Sequence, residues 1–454
     1  MKTNSLLLLC AVLFFAACST QKAINKQAQQ TILKDPSIER AHIGVSLYDV
    51  ETGKYLYNHQ ADKYFVPASN TKIVTCFAAM KYLGDSLTGL NYYENDTALF
   101  LLPAGDPTLL HPEFKTQPVI DWLRQTPKHV YITDVNWKDK ALGSGWSWSD
   151  YNETYMAERS PLPVFGNTIK WVQEGAEEVQ NPDPLFAPSP SIYSMPEVDW
   201  KVRFNGDTGI KAFYVERDQA DNVYHISQGK EKKKEQDVPF ATKGLESALE
   251  LLPDTLQKEV VYKNWKNTRN LQPMIRGGQP RAIHSQRTDS LLRPMMHRSD
   301  NFYAEQSLLM VSNTRLGIMS DRQIIDTLLK TDLADLPQAP RWVDGSGLSR
   351  YNLFTPQDFV SILNKMREQF GMDRLKKIFP TGGTGTLGNY YKQDSGFIYA
   401  KTGSLSGVLA LSGYLYTKKG KLLLFSVLVN NHNGAATGIR RSVEAFLTDV
   451  RNKY

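Results

Sequence analysis

The chain has 454 residues, 41% of them hydrophobic and 22% charged, which excludes wholesale disorder, a collagen repeat and a coiled-coil rod. Lys and Arg number 53 against 47 Asp and Glu, giving a formal charge of +6 with the signs mixed along the chain. That balance excludes the concentrated basic face of a nucleic-acid binder.

Lys2 is followed by an unbroken apolar run from Leu6 to Ala17, 12 residues where a membrane-spanning helix needs roughly 20. Residues 1–17 therefore read as an export signal. The run ends Phe15-Ala16-Ala17-Cys18, which resembles a bacterial lipobox with Phe15 in place of the usual Leu. Lipidation of Cys18 and a periplasmic, lipid-anchored protein are the expectation. Cys10 would leave with the signal and Cys18 would carry lipid, so Cys76 would have no intrachain disulfide partner.

Residues 18–35 read as a polar tether. Residues 43–57 alternate as two strands around Glu51-Thr52-Gly53. From Ser69, residues Ile73, Val74, Phe77, Met80 and Leu83 keep helical spacing, and Gly84 closes the helix. Residues 86–265 differ in texture: Pro, Trp and Tyr are frequent, with short strand-like runs at His129–Val135, Ile169–Val172 and Lys201–Phe204. The charged stretch Lys230–Asp237 reads as a solvated loop. Helical patterns occupy 286–330 and 356–371. Residues 400–416 read as a strand, Lys421–Val429 as another, and Ile439, Val443, Phe446, Leu447 and Val450 line one face of a last helix. The expected organisation is an α/β (α+β) domain, 36–85 plus 266–454, interrupted by a β-rich insertion at 86–265.

Three motifs appear in order: Ser69-Asn70-Thr71-Lys72, Ser299-Asp300-Asn301 and Lys401-Thr402-Gly403 followed by Ser404. S-x-x-K alone is weak, since it also occurs at Ser19 and Ser227. Only Ser69 opens an amphipathic helix after a strand pair. Together they form the set used by penicillin-binding proteins and class A β-lactamases. Positions three apart share a helix face, so Lys72 should lie over the Ser69 hydroxyl. A serine hydroxyl needs an adjacent base, and a lysine serves only when burial or a second cation lowers its pKa. Lys401 is the expected second cation. Ser299 and Asn301 should face Ser69, although Ser299-Asp300-Asn301 is also a good helix cap. Backbone N–H groups of Ser69 and Ser404 are the expected oxyanion hole.

Further segments carry a family resemblance. Gly105–Leu109 (GDPTL), Trp146–Asp150 (W-x-W-x-D), Asp344–Arg350 (DGSGLSR) and Gly385-Thr386-Leu387, with the three motifs, resemble peptidase S13, the low-molecular-mass class C penicillin-binding proteins. The resemblance implies a serine β-lactamase/DD-peptidase-like fold, an antiparallel sheet flanked by helices. It implies a D-alanyl-D-alanine carboxypeptidase or endopeptidase acting on peptidoglycan stem peptides through an acyl-enzyme, with β-lactams as inhibitors. Ser69 would be the nucleophile, Lys72 its base, and Ser299 and Asn301 the second motif. Lys401, Thr402 and Ser404 would hold the terminal carboxylate. Asp150 and Arg350 would bind a zwitterionic diaminopimelate end, with Tyr155 as a wall. Competing readings are a β-lactamase or esterase on the same fold, and a non-catalytic peptidoglycan-binding envelope protein.

Other signals are set aside. Gly383–Gly388 matches G-x-G-x-x-G without a βαβ context. The eight histidines are scattered and there is no H-E-x-x-H, so neither metal nor cofactor is expected. Cys76, four residues after Lys72 on an apolar helix, reads as a buried small hydrophobe.

Overall fold

A computed structural model describes residues 24–175, 190–205, 212–264 and 280–454. The expected leader with Cys10 and Cys18 lies outside the described residues. The chain divides into two compact units. The first comprises the chain through Lys81, Leu292–Ala304 and Ile325–Tyr454; the second comprises Tyr82–Leu291 and Glu305–Ile324.

The first unit is built on a five-stranded antiparallel sheet. Its strand order is Ile398–Leu405, Val408–Tyr416, Leu422–Asn430, His42–Asp49, Lys54–His59. The two ends of the chain meet here, His42 opposite Asn430 and Asp49 opposite Leu423. Leu422–Asn430 reads LLLFSVLVN and is buried almost throughout, as expected of a central strand covered on both faces. One face carries the C-terminal helix Ala436–Lys453 through Ile439, Val443, Phe446, Leu447 and Val450. Against the strands also lies the helix Pro356–Phe370. Thr355 caps that helix by accepting from the Asp358 N–H at 3.1 Å, while its own N–H donates to the Asp358 carboxylate at 2.9 Å.

Three expectations need correction. Residues 24–33, within the expected tether, are helical, and Ile24, Ala28 and Ile32 are buried in the core with the C-terminal helix. Their spacing of four is one helical face, masked by the polar residues between. Residues 400–416 are two strands, because Gly407 takes φ +73° and turns the chain into a hairpin. The stretch Lys230–Asp237 is largely strand: Lys233–Pro239 pairs with Thr168–Glu174 at the edge of a three-stranded sheet. Its charges pair across the strands, Lys233 with Glu174 at 2.7 Å and Glu235 with Lys170 at 3.0 Å. Charged residues suit a sheet edge, where they discourage further pairing.

That sheet belongs to the second unit, which also holds a second three-stranded sheet and a five-stranded mixed one. In the latter, Val260–Tyr262, His129–Ile132, Ala98–Pro103, Ser86–Glu94 and Arg281–Arg287 are neighbours in that order. A hydrophobic cluster including Leu99, Val130, Trp171, Tyr224 and Leu252 fills this unit. Arg159 is buried in it and meets Asp139 at 2.8 Å, Asp321 at 2.7 Å and Glu305 at 3.5 Å, the compensation a buried guanidinium requires.

Phe446 is fully buried, with its ring 6.2 Å from that of Tyr57. Phe446→Ala should cost about 3–5 kcal/mol in chemical denaturation of the first unit. Glu235→Ala, at an exposed edge pair, should change stability by less than about 1 kcal/mol. Equal effects would contradict this account of where the stability lies.

Candidate active site

Pro67 leads into a single 3-10 turn, Ala68–Asn70, and then the helix Thr71–Tyr82. Every residue of that helix from Thr71 to Met80 is buried, which marks it as a core helix. Lys72 is buried with it, so its ammonium must find partners inside the protein. Its Nζ donates to the Ser69 hydroxyl at 3.0 Å, Asn301 Oδ1 at 2.6 Å and the Ser346 carbonyl at 2.8 Å. One amine thus joins three stretches, the first more than two hundred residues from the other two.

The second stretch turns at Ser299, whose φ of +66° lies in the left-handed region. Asp300 then accepts from the Tyr303 N–H at 2.9 Å and caps the helix Asn301–Leu316. Asp300 therefore builds the local structure, while its neighbours Ser299 and Asn301 face the lysines.

Ser346 sits in the Asp344–Arg350 loop, which is braced from within. The buried Asp344 carboxylate accepts from the Gly347 N–H (2.8 Å), the Ser349 N–H (2.6 Å) and the Asn352 amide (2.7 Å). Gly347 has φ +83°, and a Cβ there would fall 1.8 Å from the Ala68 carbonyl oxygen. Only glycine lets this loop approach the turn before Ser69.

A fourth stretch is the edge strand Ile398–Leu405. A Cβ on Gly403 would lie 2.7 Å from the Pro67 carbonyl oxygen, so strand and turn are in close contact. Asn70 ties them further: its amide nitrogen donates to the Lys401 carbonyl at 2.8 Å, and its oxygen accepts from the Ser412 hydroxyl at 2.6 Å. Lys401 Nζ donates to the Ser299 hydroxyl at 2.8 Å and the Thr402 carbonyl at 2.7 Å. Burial holds the Lys401 ammonium well below the usual lysine range, and repulsion from Lys72 lowers it further.

Strand register sets where the Ser404 amide points. Along Ile398–Leu405 the peptide groups alternate between the partner strand and the free edge. Tyr416 N–H donates to Phe397 at 2.8 Å, which places odd-numbered residues toward the partner. Ala400 N–H instead donates to Pro380 on the open side at 3.0 Å. Thr402 and Ser404 share the parity of Ala400, so their N–H groups also face outward.

Ser69, Ser299, Thr402, Gly403 and Ser404 line one cavity of about 510 Å³, together with Tyr390 and Arg440. Asp150 and Tyr155 belong to the second unit, where the Tyr155 hydroxyl donates to the Asp150 carboxylate at 3.0 Å. Burial, then that hydrogen bond, push the Tyr155 phenol up to about 12. Arg350 belongs to the first unit and donates to the Ser406 carbonyl at 2.8 Å. Cys76 is buried, and no group of metal-binding side chains occurs among the described residues.

With this geometry in place, comparison with known proteins is decisive. Residues 25–450 match the D-Ala-D-Ala carboxypeptidase 3 (S13) family. The chain belongs to this family. The D-alanyl-D-alanine carboxypeptidase of Actinomadura sp. (strain R39) is 27% identical, over 89% of this chain and 80% of its own. The D-alanyl-D-alanine carboxypeptidase DacB of Haemophilus influenzae is 23% identical, over 87% and 86%. The crystal structure of penicillin binding protein 4 (dacB) from H. influenzae shares the fold at a TM-score of 0.67 and 18% identity, covering 94% of this chain and 98% of that one. A second structure of that protein, complexed with a novel β-lactam, gives 0.63. The expected fold class, a mixed α/β penicillin-binding architecture, is the one observed.

Sequence reasoning did not single out Asn70, the Ser346 carbonyl or Arg440. Asn70 is an unspecified position of S-x-x-K, and a backbone carbonyl leaves no trace in a motif. Arg440 looks like any helix arginine until the last helix is laid beside the Lys401–Ser404 strand.

Gly347→Ala should destabilise the protein by about 2–4 kcal/mol, because a positive φ and a backbone clash coincide there. Gly420→Ala, at φ +80° with open space around it, should cost only about 1–2 kcal/mol. Thermal denaturation of the two variants compares these directly, and equal shifts would count against the close approach at Gly347.

Proposed function

We propose that this S13 family member is a serine D-Ala-D-Ala carboxypeptidase and endopeptidase that cuts peptidoglycan stem peptides through an acyl-enzyme on Ser69. The observation that carries the reading is the Lys72 amine nitrogen held 3.0 Å from the Ser69 hydroxyl and 2.6 Å from Asn301. Ser69 Oγ attacks the carbonyl carbon between the last two D-alanines, and Lys72, acting as the neutral amine, accepts its proton. The oxygen of that carbonyl takes up negative charge, and the N–H groups of Ser69 and Ser404 receive it; each such donor is worth about 10²–10³ in rate. Ser299, hydrogen-bonded to Lys401, gives its proton to the amine as the C–N bond breaks and D-alanine departs, and the proton taken up by Lys72 replaces it. Water then cleaves the Ser69 ester and restores the hydroxyl. When the departing amine comes from a crosslink, the same steps make an endopeptidase.

Asn301 positions the substrate amide, and Lys401, Thr402 and Ser404 take its terminal carboxylate. As the family resemblance implies, Asp150 and Tyr155 are assigned to a substrate ammonium and Arg350 to a substrate carboxylate. A β-lactam mimics the dipeptide and acylates Ser69; the related H. influenzae protein takes a β-lactam in its crystal structure. Residues 1–17 serve as an export signal and Cys18 as a lipid attachment point, with the enzyme in the periplasm. No helix among the described residues is long and apolar enough to cross a membrane.

Ser69→Ala should abolish covalent labelling by fluorescent penicillin; persistent labelling of that variant defeats the assignment. Lys72→Ala should slow acylation by about 10²–10⁴ with the fold retained, and an unchanged rate would move the base elsewhere. Burial and the neighbouring ammonium hold Lys401 below the usual lysine range, so acid adds a proton to a pair that works with one fewer. The acylation rate should therefore fall as pH drops below the usual lysine range, and a flat profile would contradict the proposal. Mass analysis of products from purified muropeptides separates the peptidase from a β-lactamase, which would consume nitrocefin rapidly and release no D-alanine.

A further inference from the structure

Beside the motif residues, the cavity has one cationic side chain with no assigned task. Arg440 lies one turn into the C-terminal helix, and its Nη2 donates to the Ser404 hydroxyl at 2.9 Å. A hydroxyl that accepts from a guanidinium keeps its own proton to donate. Ser404 is exposed and Arg440 half-buried, and both line the 510 Å³ cavity with Ser69.

The charge of Arg440 is uncompensated among the described residues. Its neighbour Arg441 pairs with Glu444 at 2.5 Å, whereas no carboxylate meets Arg440. Helix stability does not explain its position either. The first turn holds no acidic residue, and a cation near a helix N-terminus is disfavoured by the macrodipole. The Tyr390 ring, 6.0 Å from the guanidinium, flanks it at the cavity wall. Arg350 is engaged elsewhere on the same hairpin, at the Ser406 carbonyl. An unpaired guanidinium that orients an exposed hydroxyl as a donor is suited to a carboxylate.

We propose that Arg440 is a recognition residue for the free carboxylate of the departing residue, acting with Ser404, so that the site selects acid-terminated over amide-terminated substrates. This rests on the peptidase reading above and adds a specificity to it. Arg440 contributes in two ways: it sets the direction of the Ser404 proton, and it supplies a positive charge that an amidated terminus cannot use. The selection applies equally to a diaminopimelate crosslink, whose departing amine sits on a carbon that bears a carboxylate unless that group is amidated.

The test uses the full protein and two peptides, diacyl-L-Lys-D-Ala-D-Ala as the free acid and as its C-terminal carboxamide. Kinetics of product release are measured for the parent protein, Arg440→Gln and Arg440→Lys, with thermal denaturation as a folding control. The parent should prefer the acid. Arg440→Gln should lose roughly 10- to 100-fold in kcat/KM on the acid, mostly through KM, and much less on the amide. Arg440→Lys should recover part of the preference. An acid-over-amide ratio in Arg440→Gln equal to that of the parent overturns the proposal, as does a parent that does not discriminate. Should Arg440→Gln fail to fold, Ser404→Ala is read by the same ratio, with collapse supporting and persistence overturning. Penicillin labelling of Ser69 keeps the two readings apart. A parent that is labelled and cleaves but shows no role for Arg440 leaves the peptidase standing, whereas a parent with neither labelling nor cleavage removes the peptidase itself.

Discussion

Two lysine side chains, Lys72 and Lys401, are fully buried in one site. Burying a charge without compensation costs far more than a domain's margin of stability, so the surroundings must supply hydrogen bonds or remove a proton. Both occur here. Lys72 has three oxygen partners, from Ser69, Asn301 and Ser346. Lys401 has two, from Ser299 and Thr402, and is pushed toward its neutral form. Because those five oxygens come from four separate stretches of chain, satisfying the lysines and assembling the site are one event. A fold that failed to bring Ser299-Asp300-Asn301 and the Asp344–Arg350 loop to the helix would leave amines buried without partners.

The same demand accounts for the strained backbone around the site. Ala68 at φ +46° and Ser299 at φ +66° occupy the left-handed region without being glycine, at about 1–2 kcal/mol each. Each stands next to a residue the lysines require: Ala68 precedes Ser69, and Ser299 precedes the Asp300 cap that fixes Asn301. The compensation is local. Gly347 and Gly403 let two other backbones pack against the Pro67–Ala68 carbonyls, where any side chain would collide. Asp344 locks the loop that delivers the Ser346 carbonyl through three hydrogen bonds of its own. Strain at two residues is thus held in place by contacts at glycines and one buried carboxylate.

What could be read in advance follows from this arrangement. The hairpin at Glu51-Thr52-Gly53, the helix after Ser69 and the final helix were legible because their periodicity and their turn glycines are local signals. The grouping of Ser69, Lys72, Ser299, Asn301 and Lys401 was legible as residue types in a fixed order. Less was visible where a signal depends on a distant partner. Lys233–Pro239 is a strand because its backbone pairs with Thr168–Glu174, with opposite charges facing across the ladder, and in isolation its composition describes a loop. Ile24, Ala28 and Ile32 are three apolar residues in a polar stretch until the C-terminal helix covers them. Arg440 acquires a meaning only through the hydroxyl of Ser404, 36 residues away.

The open side of the strand Ile398–Leu405 connects fold to function. It is an edge strand, and outward-facing N–H groups such as those of Thr402 and Ser404 are a liability in most proteins, since they invite pairing with another chain. Here the edge borders the Ser69 cavity. A stem peptide laid along it in extended form would pair with those groups as an added strand, a mode in which main-chain hydrogen bonds give affinity and flanking side chains give selectivity. On the proposed function, pairing of this kind also fixes the peptide in register, which places one carbonyl, and not its neighbours, over the Ser69 hydroxyl and between the N–H groups of Ser69 and Ser404. Arg440 and Ser404 lie together at the end of the edge, where the proposed recognition of a free carboxylate would set where the peptide must stop. On the proposed function, register is imposed from that end: the distance from carboxylate to scissile carbonyl, one residue, is measured by the distance from Ser404 to Ser69. An enzyme built this way distinguishes the last peptide bond from the others without contacting every side chain.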